Sequence, residues 1–366
     1  MSNAKSKKDV KYVGVDDGHS GTKVFAGYDT VTKKPIQMVM PSIVSKGGTS
    51  FTNVNEIELN DSTVFVGGEQ YTTGSKFAGS GDDLVGDSYP TSGQNVALIA
   101  QALRSFTKSW GGNPVDVSIV TGLPLGHYFD KVKETPNFPL INAKKENIER
   151  LSQSYSPADD NKPMFNLVRN SVQPEGWGSL LDAILTDKGA NTERYSIIEG
   201  YGAVIIDIGG RTVDTMIVLA EVMTPKYDDV HTYDLGILYM HRKLNNTIMQ
   251  LEGMSEPLKR NRLEEIIKTG KYGRGSKERD YSELVEKILN EHTNLIFERV
   301  KAVIARPEAE GGVIITGGGA ELLGERLKAL VEEYSSKAEV FVPVDPVFSN
   351  ARGFWKTARL AEQEAV

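Results

Sequence analysis

None of the 366 residues is cysteine, which removes disulfide frameworks, cysteine nucleophiles and thiolate zinc sites together. His127, His231, His241 and His292 lack metal-ligand spacing, and His19 has no neighbours that would form a catalytic triad with it. Long apolar runs are also missing. Nothing approaches the roughly 20 residues of a bilayer span, and no apolar stretch follows the N-terminal Lys5, Lys7 and Lys8 as it would in a signal peptide. Nor is basic charge in excess. Forty-two Lys and Arg stand against 49 Asp and Glu, a net charge of −7, which argues against broad direct contact with DNA. The rest of the composition, 39% hydrophobic and 25% charged, is that of a globular protein with length for two domains or one large α/β unit. We expect a cytoplasmic protein with no membrane partner.

The chain contains one local device twice. Lys11 to Asp16 reads as a strand that returns at Thr22 to Tyr28, and Ala203 to Ile208 reads as a strand that returns at Thr212 to Ala220. In both, an apolar strand ends in an acid, then a Gly-containing turn, then a second strand. Residues 13–26, VGVDDGHSGTKVFA, and 204–217, VIIDIGGRTVDTMI, are weakly self-similar. Duplicated domains facing one another across a cleft would account for this. Residues 30 to about 90 read as a small β-rich insertion, and Asn95 to Trp110 has helical apolar spacing. A polar stretch from Lys144 to Pro163 separates the strand Val115 to Thr121 from the strand Phe165 to Val172. Helical patterns cover 236–252, 256–269 and 281–305, and Asn350 to Glu362 is a closing helix. Within them, Gly270 to Lys277 is a basic turn holding Lys271, Tyr272 and Arg274. It suits a solvated loop, the border of a ligand or a partner's surface.

The turns carry the chemistry. In the first, glycines such as Gly18 and Gly21 let backbone N–H groups converge on an anion. Ser20 and Thr22 offer hydroxyls, and Lys23 a positive charge. Asp16, at the strand end, suits a hydrated Mg²⁺, which keeps several waters and takes few carboxylates. Gly209, Gly210, Arg211 and Thr212 repeat these ingredients after Asp207. An ordinary hairpin is the other reading of either turn, and Arg211 also suits a solvent-facing position. A third element, Val313-Ile314-Ile315-Thr316-Gly317-Gly318-Gly319-Ala320, lets backbone approach a flat ligand and aims a helix N-terminus at it. It has neither the Gly-Lys-Ser/Thr of a Walker loop nor dinucleotide spacing.

In this order and spacing, the three elements resemble those of the actin-like ATPase superfamily. Val117 to Pro124 and Asn350-Ala351-Arg352-Gly353 resemble its two hinge segments. Asp16-Asp17-Gly18, Asp207-Ile208-Gly209-Gly210-Arg211-Thr212-Val213-Asp214 and Gly317-Gly318-Gly319-Ala320-Glu321-Leu322 are similar to motifs of the ParM (StbA)-type plasmid-segregation actins. The resemblance implies an α/β fold of duplicated, ribonuclease H-like domains with a nucleotide cleft between them. Residues 1–198 with 345–366 would form domain I, and 199–344 domain II with a helical insertion at about 230–305. It implies nucleotide contacts from Asp17, Gly18, Ser20, Gly21, Thr22, Lys23, Gly209, Gly210, Arg211, Thr212, Gly317, Gly318, Gly319 and Ala320, with Asp16 and Asp207 on the metal. Glu175, in Ser171-Val172-Gln173-Pro174-Glu175, matches the family's water-positioning Pro-Glu, although a Glu there also suits a helix first turn. His19 stands where actins often carry Ser, and Arg211 where many relatives carry Gly.

The function implied is an ATP- or GTP-hydrolysing, Mg²⁺-dependent filament of this chain with itself, which segregates plasmid DNA through a DNA-bound adaptor protein. The alternative is a small-molecule, sugar-type kinase of the same superfamily, though no segment for a sugar pocket stands out. A chaperone would need a peptide-binding domain after the third motif, and membrane-bound relatives often carry an amphipathic anchor. Neither is evident in the sequence.

Overall fold

The computed structural model describes residues 9–48, 60–74, 86, 88–130, 132–273 and 275–363. Lys5, Lys7, Lys8, parts of the 30–90 insertion and Arg274 lie outside the described residues. The chain divides into two compact units, Met1–Ser196 with Val347–Val366, and Ile197–Pro346.

The first unit begins with β1 (Lys11–Asp17), β2 (Gly21–Tyr28), β3 (Pro35–Pro41), β4 (Val44–Lys46), β5 (Thr63–Val66) and β6 (Glu69–Thr73). It continues with β7 (Val115–Leu123), β8 (Phe129–Asp130), β9 (Thr135–Pro136), β10 (Ser154–Tyr155) and β11 (Phe165–Pro174). Its helices are α1 (Gly93–Thr107), α2 (Leu125–Tyr128), α3 (Phe138–Glu149) and α4 (Trp177–Ile184). α5 (Glu193–Tyr201) straddles the division between the units. The main sheet has the order β11-β7-β1-β2-β3, with β1, β7 and β11 parallel and β2 and β3 antiparallel. A smaller sheet, β10-β5-β6-β4, is built mostly from the insertion.

The second unit contains β12 (Ala203–Ile208), β13 (Val213–Val218), β14 (His231–Tyr233), β15 (Lys271–Tyr272), β16 (Arg279–Asp280), β17 (Val313–Thr316) and β18 (Val340–Phe341). Its helices are α6 (Ile237–Glu252), α7 (Arg260–Thr269), α8 (Ser282–Ile304) and α9 (Ala320–Tyr334); α10 (Ser349–Gln363) returns to the first unit. Its main sheet, β14-β13-β12-β17-β18, repeats the first in pattern, with a hairpin strand at the centre, two strands added by successive antiparallel pairings on one side and two by parallel pairings on the other. The weak self-similarity of 13–26 and 204–217 therefore marks a repeated sheet topology. Lys271 and Tyr272 of the basic stretch form β15, paired with β16, and Lys271 pairs with Glu278 at 3.1 Å.

Strand alternation decides what each face of the first sheet carries. Val13 and Val15 enter the core with Val96, Ile99 and Leu103 of α1. Gly14 faces the other way, onto α10, where a Cβ would collide with the carbonyl oxygen of Ala351. α10 is thereby brought directly against β1, with Trp355 edge-on to Phe25 at 5.3 Å. In the second unit Val204, Ile206 and Ile208 enter a core with residues of α6, α8 and α9, which leaves Ile205 and Asp207 on the opposite face.

Candidate functional site

The same alternation separates the two acids that end β1. Asp17 continues the Val13–Val15 face, where Asn95 of α1 donates to its Oδ2 at 2.5 Å. Lys144 of α3 donates to the same oxygen at 2.7 Å and also to the carbonyl oxygen of Gly122. Lys144 is only 1% exposed and Asp17 4%. Asp17 Oδ1 is buried without a hydrogen-bond partner among the described residues. Asp16 lies on the other face, and Lys23, its direct partner across the hairpin, brings Nζ to 3.4 Å from both of its carboxylate oxygens. The Gly18 amide donates to Asp16 Oδ1 at 3.2 Å, and Ser42 donates to the Gly18 carbonyl at 2.7 Å. Thr22 is fully buried, its hydroxyl 3.5 Å from that of Ser42. His19 tilts against Tyr89, with ring centroids 5.3 Å apart. Burial, and then the Asp17 charge, push the Tyr89 phenol well above its ordinary range.

Three parallel strands deliver their carboxyl ends to this region, the place where open α/β sheets bind ligands. β1 ends at Asp17, β7 at Leu123 and β11 at Pro174, with Gln173 in register with Gly122 and Pro174 with Leu123. The Glu175 amide donates to the Leu123 carbonyl at 2.8 Å. Its side chain lies along Gly122, where a Cβ would sit 3.0 Å from Glu175 Cγ and 3.3 Å from its Oε1. The structure thus groups Glu175, Gly122, Lys144, Asp17 and Asn95.

The second hairpin is assembled differently. Asp207 is the direct cross-strand partner of Asp214, and both are buried. Asp214 accepts from Thr212 at 2.7 Å and Thr232 at 2.5 Å, so the Thr212 hydroxyl is turned into the sheet. The turn is seated on the start of α6. The amides of Gly236, Ile237 and Leu238 donate to the carbonyls of Arg211, Gly209 and Gly210 at 2.9, 3.1 and 2.9 Å. Arg211 reaches Asp234 at 3.5 Å. On the parallel neighbour β17, Thr316 is in register with Asp207. Gly317 follows at φ +89°, where a Cβ would collide with Asp207 Oδ1. The Gly319 amide donates to the Ile208 carbonyl at 2.7 Å, and α9 opens at Ala320 with no side-chain cap. Gly318 has open space where its side chain would be. The second and third motifs, apart by more than a hundred residues, are therefore one cluster in this unit. Among the described residues no group of three or more His, Asp or Glu gathers as a metal site, and no helix is long and apolar enough to cross a membrane.

Lys144 and Asn95 were not singled out from the sequence. Lys144 pairs across 127 positions, and such a contact leaves no local signature.

Comparison with known proteins finds likenesses for both units. The N-terminal domain of actin-like proteins matches residues 14–178, and the C-terminal domain of archaeal MreB-like actin homologues matches residues 205–329. Both matched models are of actin-like proteins, and one falls in each unit. It is 27% identical over 271 residues to an archaeal actin homologue of Thermoplasma volcanium, covering 74% of this chain and 76% of the relative. Among solved structures, an archaeal actin homologue in complex with ADP superposes with a TM-score of 0.69 at 23% identity, covering 95% of this chain and 99% of that one. A 15-stranded ParM filament from Clostridium botulinum gives 0.68 at 19% identity, covering 96% and 99%. The fold is the duplicated actin-like α/β fold.

Proposed function

We propose that this actin-like protein is a nucleotide triphosphatase that assembles with itself into filaments, with ATP as its nucleotide and hydrolysis controlling disassembly. The carrying observation is that both units place a buried acid, Asp16 or Asp207, next to last in their central strand, before a Gly hairpin at the carboxyl edge of a sheet of the same topology. In this reading the first turn, Asp17 to Lys23, and the second, Gly209 to Thr212, bind phosphate groups. Gly317 to Ala320 receives the adenosine on backbone and a helix start. ADP in an archaeal homologue and the filament of a ParM protein, both of this fold, support the nucleotide and the assembly.

Mg²⁺ suits the second hairpin better than the first. Asp16 already faces the Lys23 ammonium, whereas Asp207 faces a second carboxylate across the strands. Two acids paired across the strands suit a divalent cation, and Mg²⁺ takes one or two carboxylates and keeps its waters. Asp207 would hold the ion, which would offset phosphate charge when bound.

Glu175 is the residue we assign to ordering the attacking water. It stands on the end of a parallel strand, partly exposed, beside a glycine that leaves its carboxylate room. There is little covalent chemistry for a protein to perform in phosphoryl transfer, so positioning of this kind is what it can supply. The net charge of −7 fits a filament that reaches DNA through a separate adaptor protein, and segregation of plasmid DNA is the cargo role we propose.

Right-angle light scattering and phosphate release, measured together with Mg-ATP and no other substrate, test this reading. Scattering that rises with ATP and decays as phosphate appears is expected. Glu175→Gln should keep assembly and slow hydrolysis at least roughly tenfold, equivalent to about 1.4 kcal/mol of barrier. No scattering at high protein concentration, with phosphate transfer only after a metabolite is added, would replace the filament with a small-molecule kinase.

A further inference from the structure

Lys144 is among the most deeply buried side chains of the first unit, and it is a cation. A buried lysine is tolerated only where its charge is paired and its donors are used. The partners here are informative. One is Asp17 at the end of β1, and the other is the carbonyl of Gly122 near the end of β7. Asn95 holds the same Asp17 oxygen from α1. Gly122 in turn is the surface on which the Glu175 side chain lies, and the next residue, Leu123, accepts the Glu175 amide at 2.8 Å. One ammonium therefore fastens two of the three parallel strand ends together, and the third, carrying Glu175, rests on the second.

We propose that Lys144 is a positioning residue for hydrolysis: by tying Asp17 to the Gly122 carbonyl it fixes the backbone that carries Glu175. This rests on the reading that Glu175 orders the attacking water. Lys144 reaches no substrate itself in this scheme. A buried ion pair adds little to stability compared with apolar groups of the same volume, so a role in fixing geometry explains its presence better than a role in holding the fold. The cost of misplacing a catalytic group by about 1 Å is on the order of 100-fold in rate.

The test is a double-mutant cycle on single-turnover ATP hydrolysis, with ADP affinity measured alongside. Lys144→Met should bind ADP within about twofold of wild type and hydrolyse ATP at least roughly tenfold more slowly. In a Glu175→Gln background the same substitution should change the rate by less than about twofold, because the group it positions is already gone. Equal slowing in both backgrounds, or an unchanged rate in Lys144→Met, would overturn the proposal and leave the Glu175 assignment standing. A wild-type rate in Glu175→Gln alone would overturn the Glu175 assignment instead. Should Lys144→Met leave Asp17 too poorly compensated to fold, Lys144→Gln keeps a donor there but is too short to join Asp17 to the Gly122 carbonyl. That variant should be equally slow and equally indifferent to Glu175→Gln, and a wild-type rate in it would refute the role of Lys144.

Discussion

Replacing Asp182 with Asn should loosen α10, the helix on which β1 rests. The Asp182 carboxylate is nearly buried and takes three charged donors from α10: Arg352 Nε at 2.9 Å, Arg352 Nη2 at 2.8 Å and Lys356 Nζ at 2.8 Å. Removing one partner of a buried ion pair typically costs 3–5 kcal/mol, because the other charge is left without compensation. Lys356 keeps two acceptors, the carbonyls of Asp182 and Leu185, so the low end applies, about 3 kcal/mol. Loss of that much local stability accelerates amide exchange by roughly 150-fold, since each 1.4 kcal/mol is a factor of ten. Hydrogen exchange resolved to peptides supplies the assay. The amides of α10 and β1 should lose protection together, while β12 and β17 keep theirs. A change below about fivefold in α10 would mean that the cluster is not what docks the helix. Loss of protection across the whole chain would mean that the cluster supports far more than α10.

Two further outcomes are expected. Burial, reinforced by Arg260 and opposed by Glu264, pushes the pKa of His241 down to about 4, and burial also lowers that of His292. A folded-state value below the unfolded one near 6.5 means that the unfolded chain binds more protons, so stability is complete above about pH 6.5 and is lost as pH falls toward 4. For His241 alone the loss at pH 5 is about 2 kcal/mol; urea unfolding at pH 7 and pH 5 should show it in wild type and not in His241→Leu, and equal pH slopes would contradict it. Gly317→Ala should weaken ADP binding at least roughly tenfold, because its Cβ meets Asp207 Oδ1 on a backbone that disfavours side chains; an unchanged ADP titration would remove this turn from the site.

Elements with a strong apolar period were readable from the sequence. The paired strands around both Gly turns, the strand before Gly317 and the long helices of the second unit all show periods of 2 or 3.6 in their apolar residues. α3 did not, and the reason is specific. Its buried positions are Ile141, Lys144, Asn147 and Ile148, which have helical spacing but are half polar. A hydrophobicity pattern therefore reads Lys144 as the start of a polar spacer, although it is the end of a buried ion pair. α5 was hidden for the opposite reason, since only Ile198 of its nine residues is buried and no apolar stripe exists to detect. The acid, glycine and hydroxyl positions of the turns were visible because they are local. The Lys144–Asp17 and Asn95–Asp17 contacts were not, because the fold brings them together from distant parts of the chain.

The two hairpins share a register, yet they differ at one position, and the difference bears on how the duplication came to serve two tasks. Asp16 faces Lys23 where Asp207 faces Asp214. The first hairpin carries its own cation, so a phosphate brought to its turn meets a nearly neutral pair and donor groups. In the second the cross-strand partner is another acid, Asp214, which accepts from Thr212 and Thr232. On the proposed function, the first turn brings a counter-charge across its hairpin, and Asp207 of the second is the residue we place on Mg²⁺. Asp207→Ala should therefore weaken the Mg²⁺ dependence of hydrolysis more than Asp16→Ala does, and an equal loss in the two variants would contradict the assignment.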